Sequence, residues 1–105
     1  MSDSDAMFEG ITSFARRVQD LQRQAAQQYE PIVNQLLRSG SQDAGQIERT
    51  LDGLLDFCGH EPVLQLFKRL CRHYWDINPV ATADYVNAYR AQWGSEEHED
   101  HGEQA

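Results

Sequence analysis

Residues 58–73, CGHEPVLQLFKRLCRH, carry two thiols and two imidazoles in a repeated Cys-x-His spacing, Cys58/His60 and Cys71/His73. Two sulfurs and two ring nitrogens are a ligand set that tetrahedral zinc takes. Whether they can converge depends on the chain between them. Pro62, followed by Val63, Leu66, Phe67, Leu70, Cys71 and Tyr74, has the start signal and the spacing of a helix reaching about Trp75. On that helix Cys71 and His73 are two positions apart, about 200° around the axis, and point to nearly opposite faces. Zinc would require the helix to stop before Cys71. The sequence therefore predicts two buried thiols acting as small hydrophobes: Cys71 beside Phe67 and Tyr74, and Cys58 continuing the stripe Leu51, Leu54, Leu55. His73 is expected in solvent with Arg69 and Arg72, and His60 in a turn. Apolar surroundings raise a thiol pKa, which argues against a nucleophilic cysteine.

Other chemistry-bearing groups are sparser. Lys68, Arg69 and Arg72 gather on the polar side of the same helix among Phe67, Tyr74 and Trp75, a pattern that can meet phosphates. The leading turn, His60-Glu61-Pro62-Val63-Leu64, lacks base-reading side chains, and three cations are few. Their ordinary reading is a solvated face pairing with Asp52, Asp56 or Asp76. Glu48, Asp52 and Asp56 recur every four residues on a polar helix face. Glycine-rich phosphate loops, HExxH and nucleophile elbows are missing from the sequence, so no enzyme, cofactor or resident metal is expected. His98 and His101, set among acids, make at most a weak, unselective metal site.

The elements that would position these groups are all helical. Met7, Ile11, Phe14, Val18, Leu21 and Ala25 alternate steps of four and three, a heptad seam, and Tyr29, Ile32 and Leu36 extend it. Ser2, Asp3, Ser4 and Asp5 supply capping side chains at its start. Pro31 removes a donor and crowds the preceding turn, so a kink, a break or a new helix is expected there, ending at Ser39-Gly40-Ser41. A second helix is predicted over about 44–58, opened by Asp43 and Gln46 and closed by Gly59 in a left-handed conformation. A last helix starts at Asn78-Pro79, carries Val80, Ala83, Val86, Tyr89 and Trp93 as its apolar stripe, and stops at Gly94. The fold class is an all-α bundle of four or five helices. Residues 1–94 form one helical domain, and 95–105 form a disordered acidic tail without a large apolar side chain.

Of 17 acids in the chain, Asp3, Asp5, Glu9 and five in residues 95–105 lie at the ends, leaving the body balanced against nine bases. No apolar run suits a membrane span, the N-terminus does not resemble a signal peptide, and two cysteines fit reduced thiols, so a cytoplasmic protein is expected. Length then constrains function. A globule of this size is about 33 Å across. The seam from about residue 5 to 29 alone reaches about 37 Å, and the later helices are only about 18–24 Å long. Part of the first helix must find apolar cover on a symmetry mate, on another protein or by folding back at Pro31. The sequence is read as a small regulatory or adaptor protein that self-associates through this helix. Phe14, Val18 and Leu21 are its contact residues, joined by Tyr85, Tyr89 and Trp93 on the aromatic last helix. The alternative is a nucleic-acid-binding regulator using Lys68, Arg69 and Arg72.

Overall fold

The computed structural model describes residues 3–94, with side chains from Ala6 onward. Four helices follow one another: α1 (Asp3–Ser39), α2 (Ala44–Leu55), α3 (Glu61–Trp75) and α4 (Pro79–Trp93). No strand occurs among the described residues, and the fold is the small all-α bundle that the periodicity predicts. The acidic tail expected at 95–105 and the capping side chains of Ser2 to Asp5 lie outside what is described.

The third helix is the hub. It packs against each of the other three and buries Val63, Leu66, Phe67, Leu70, Cys71 and Tyr74. The inner half of α1 lies against it through Ala25, Val33 and Leu36, and α2 contributes Ile47, Leu51 and Leu54 to the same core. Val33, Ile47, Leu51, Leu54, Val63, Leu70 and Tyr74 have no measurable exposure.

Chain reversals follow from local chemistry. After α1, Gly40 takes φ +63°, its N–H bonds the Leu37 carbonyl at 3.2 Å, and Ser41 N–H bonds the Leu36 carbonyl at 3.0 Å. That pair of bonds is the Schellman stop, which favours glycine because a Cβ strains the left-handed conformation. Asp43 caps α2 by accepting from Gln46 N at 3.1 Å, and Asn78 caps α4 by accepting from Ala81 N at 3.0 Å.

Three expectations are corrected. The chain does not break at Pro31: α1 continues through it for 37 residues. Pro31 and Gln27 are both exposed, so the carbonyl that loses its donor faces the wet side, while Ala25 and Val33 dock on either side of the proline. Helix α2 ends at Leu55 rather than near Cys58, and Gly59 is not left-handed. Glycine is needed there for space: a Cβ would stand 2.9 Å from a ring carbon of Trp93. The apolar stripe of α4 holds at Val86, Tyr89 and Trp93 but not in its first turns. Val80 is 74% exposed and Ala83 lies in solvent, whereas Thr82 and Tyr89 are buried and Ala81, Tyr85, Val86 and Trp93 pack beside them. Thr82 can go inside because its hydroxyl donates to the Asn78 carbonyl at 2.9 Å.

The exposed first turn of α4 makes a contrast that can be measured. Leu70→Ala, at the hub, is expected to cost about 2–5 kcal/mol. Val80→Ala, in the sequence-derived stripe but outside the core, should change stability by less than about 0.5 kcal/mol. Urea unfolding of both variants checks the assignment, and a large loss at Val80 would contradict it.

Candidate functional site

Two exposed features stand out once the core is removed from consideration. The first is the outer half of α1. From Ala6 through Leu21 every residue is exposed, and Ala25 is the first buried one. Met7 (63%), Phe8 (67%), Ile11 (58%), Phe14 (67%) and Leu21 (54%) keep most of their surface in water, with Val18 less so. The molecule measures 59 × 38 × 17 Å with a radius of gyration of 17.1 Å, where a compact chain of this length would have about 13 Å. Its one long helix, about 55 Å at 1.5 Å per residue, explains the elongation. Sequence reasoning found this face through Phe14, Val18 and Leu21. It missed Phe8, one step off the heptad seam, because a strict four-three pattern has no place for it.

The same face runs through the whole helix. On a straight helix at 100° per residue, positions 7, 11, 14, 18, 21, 25, 29, 32 and 36 fall within an arc of about 80°. Phe8 stands at one side of that arc, in line with the docked residues Ala26 and Val33. The stripe that docks on α3 further along is therefore the stripe left bare at the tip.

The second feature is a groove between α3 and α4. It encloses about 350 Å³ over a floor that includes Phe67, Cys71 and Val86. Lys68 and Arg72, one turn apart on α3, and Arg90 on α4 surround it, and Trp75, 54% exposed, stands at one end. No lining residue is acidic. The only ion pair among the described residues is Arg23 with Asp20, on the outer half of α1, so the three groove cations are not neutralised by described carboxylates.

The basic trio read from the sequence is thus divided. Arg69 turns the other way and donates to Asn34 Oδ1 on α1 at 2.8 Å, and Arg90 takes the third place beside Lys68 and Arg72. A step of one residue rotates a helical position by about 100°, enough to send Arg69 to a different neighbour. Arg90 escaped sequence reasoning because it lies on a different helix, and only the packing of α4 on α3 brings it beside Lys68 and Arg72.

His73 is likewise not in solvent. It is half-buried, and its Nε2 donates to the Ser41 carbonyl at 2.7 Å, tying α3 to the loop after α1. Tyr85, Tyr89 and Trp93 point into the bundle. Tyr85 donates to Asp52 Oδ1 at 2.8 Å and approaches the Glu48 carbonyl at 3.2 Å; Trp93 Nε1 donates to the Leu55 carbonyl at 2.8 Å. Tyr89 is 8% exposed, with its ring 5.9 Å from that of Phe67. These contacts use the aromatic face to hold α4 against α2 and α3. Glu48 and Asp52 are consequently more than a solvated face, since each accepts a tyrosine hydroxyl, Glu48 from Tyr74.

The thiols are where the helix argument puts them. Cys58 and Cys71 are free and buried, and Cys58 donates to the Leu54 carbonyl at 3.4 Å. No cluster of three or more metal-ligating side chains occurs among the described residues. Burial pushes both thiols up to about 12, with a smaller electrostatic contribution from Cys71 on Cys58. At neutral pH both are protonated, the opposite of what a nucleophile or a metal ligand needs.

Comparison with protein-family models, curated proteins and solved structures finds no significant match, so the chain's own surfaces must carry the functional reading. Among the described residues, no helix is long and apolar enough to cross a membrane.

Burial of the ionisable groups sets an alkaline limit. In the unfolded chain a thiol ionises near its ordinary 9.0, while the folded state holds the proton to about 12. The folded state binds more protons between those values, so the thiol contribution to stability is full below pH 9 and lost as pH rises toward 12. Tyr74, raised from 10.0 to about 12 by burial and by Glu48, acts in the same direction. The urea midpoint should fall steadily above pH 9. At pH 8 the native thiols should react with an aromatic disulfide reagent far more slowly than the unfolded ones, and rapid native reaction would place them outside the core.

Proposed function

We propose that this is a small cytoplasmic regulatory or adaptor protein that acts by protein–protein association, using the outer half of α1 to join a second copy of itself. One observation carries the reading: a helix face with five apolar side chains more than half exposed, continuous with the face the bundle buries. Covering a large apolar side chain contributes about 1.5–3 kcal/mol, and an uncovered patch of this kind marks an interaction surface. The raised thiol pKa values favour association over thiol catalysis. A nucleic-acid role for α3 has less support, because the cluster with Arg90 in place of Arg69 still numbers only three cations and surrounds an apolar groove.

The test is mass in solution. The chain is 12.0 kDa, and sedimentation or light scattering at micromolar concentration is expected to return twice that value. Ile11→Glu with Phe14→Glu should return the monomer mass while leaving the cooperative unfolding of the bundle intact, because neither residue touches the core. A wild-type monomer across the accessible concentration range would remove the proposal.

A further inference from the structure

The two exposed features fit each other. The tip of α1 is apolar and acidic: Met7, Phe8, Ile11 and Phe14 share the region with Asp3, Asp5 and Glu9, and no base occurs before Arg16. The α3/α4 groove is apolar and basic, with Lys68, Arg72 and Arg90 around it and no acid among its lining residues. Their dimensions are comparable. The exposed face of α1 from Met7 to Leu21 spans fourteen residue steps, about 21 Å, and the α3 wall of the groove from Leu64 to Trp75 spans eleven, about 16 Å, room for three of its four turns.

We propose that the N-terminal segment of α1 from one copy docks in the α3/α4 groove of a second copy, and that the exchange is reciprocal. The proposal rests on the self-association reading above and names the surface that receives the helix. A reciprocal exchange about a two-fold axis is closed, so one arrangement covers both exposed features in both copies and leaves no edge for further growth. The contact is of the helix-in-groove kind, with anchors at i, i+3, i+4 and i+7.

Two observations favour the groove over a paired α1–α1 coiled coil. A two-stranded seam buries a narrow stripe, whereas Phe8 widens this one to the breadth with which helices pack on a globular core. Parallel pairing of two α1 helices would also bring two acidic N-terminal segments of like charge together and leave the groove cations unmatched. Docking in the groove brings the acidic segment to the basic rim, where opposite charge selects orientation and speeds encounter.

Lys68 is the single lysine of the chain, which makes the contact directly readable. Zero-length carbodiimide coupling joins a carboxylate to an amine as an amide with loss of water, the carbodiimide taking that water up as a urea. Applied to a mixture of isotopically light and heavy wild-type protein, it should give mixed-label peptides linking Lys68 to Asp3, Asp5 or Glu9. Lys68 links confined to one label, or links to the acids after Gly94, would overturn the docking.

Charge exchange supplies the second arm. The triple variant Lys68→Glu, Arg72→Glu, Arg90→Glu and the triple variant Asp3→Lys, Asp5→Lys, Glu9→Lys should each lose the dimer at concentrations where wild type keeps it. Mixed one to one at low salt, they should regain it as a heterodimer, because each helix then meets a groove of opposite sign. A groove variant that stays dimeric while Ile11→Glu with Phe14→Glu is monomeric would sink the groove and spare self-association. A wild-type monomer would sink both. If circular dichroism shows the groove variant unfolded, the Lys68 linkage decides.

Discussion

A single rod cannot be half helix by tertiary contact and half coil without a boundary, and α1 shows how such a boundary is avoided. Its inner half is anchored on α3 by Ala25, Val33 and Leu36. The costly nucleus is thereby formed in the bundle, and each further residue toward the N-terminus adds a backbone hydrogen bond to an existing helix. The stretch next to the seat, QDLQRQAAQQ at 19–28, is made largely of good helix formers and suits that propagation, which then carries the helix through the weaker formers Gly10, Ile11, Thr12 and Ser13. The seat on α3 therefore supports an exposed apolar face well beyond the core. If the seat is lost, the outer half also loses the nucleus from which it grows.

Much of this was legible in the sequence because it depends on helical period and on length. The seam from Met7 to Ala25 identified the outer helix, and comparing its length with that of a bundle of this size implied that it must overrun. At Pro31 the expected break does not occur. Proline costs most where its missing donor and ring meet a buried carbonyl, and here they face water. The first turns of the α4 stripe were misplaced because hydrophobicity preferred Val80 and Ala83 to Thr82, while Val86, Tyr89 and Trp93 pack inward as expected. Period alone permits both phases, and the difference lies in a hydroxyl satisfied by the Asn78 carbonyl. Gly59 was assigned to a backbone conformation when it serves a neighbouring indole that only the folded bundle brings near.

The cysteine–histidine pattern shows the same distinction between composition and placement. Four zinc-competent side chains within sixteen residues form no site, because α3 turns Cys71 into the core and carries His73 to the Ser41 carbonyl. The basic cluster divides for the same geometric reason, Lys68 and Arg72 sharing a face that Arg69 leaves. What could not be read was the third cation. Arg90 reaches the groove only because α4 packs antiparallel on α3 through Tyr89 and Phe67, a pairing between positions 22 residues apart in the chain.

The hub helix gives the exchange an economical form. With one face, α3 receives the inner stripe of its own α1; with another, where Cys71 and Phe67 floor the groove, it stands open beside α4. The outer stripe of α1 is in line with the inner one, so what would cover it must resemble what covers the inner stripe: an apolar surface built on a helix of comparable length. A second copy of α3, presented from its α4 side, meets that description. Under the proposed exchange each hub would seat two first helices, its own by the inner half and its neighbour's by the tip. The added rim of Lys68, Arg72 and Arg90 would then distinguish the visiting tip, which is acidic, from the resident half, whose stretch from Ala25 to Leu36 carries Glu30 as its only charge. Charge would decide which half of α1 enters which face of α3, a choice that apolar contact alone leaves degenerate.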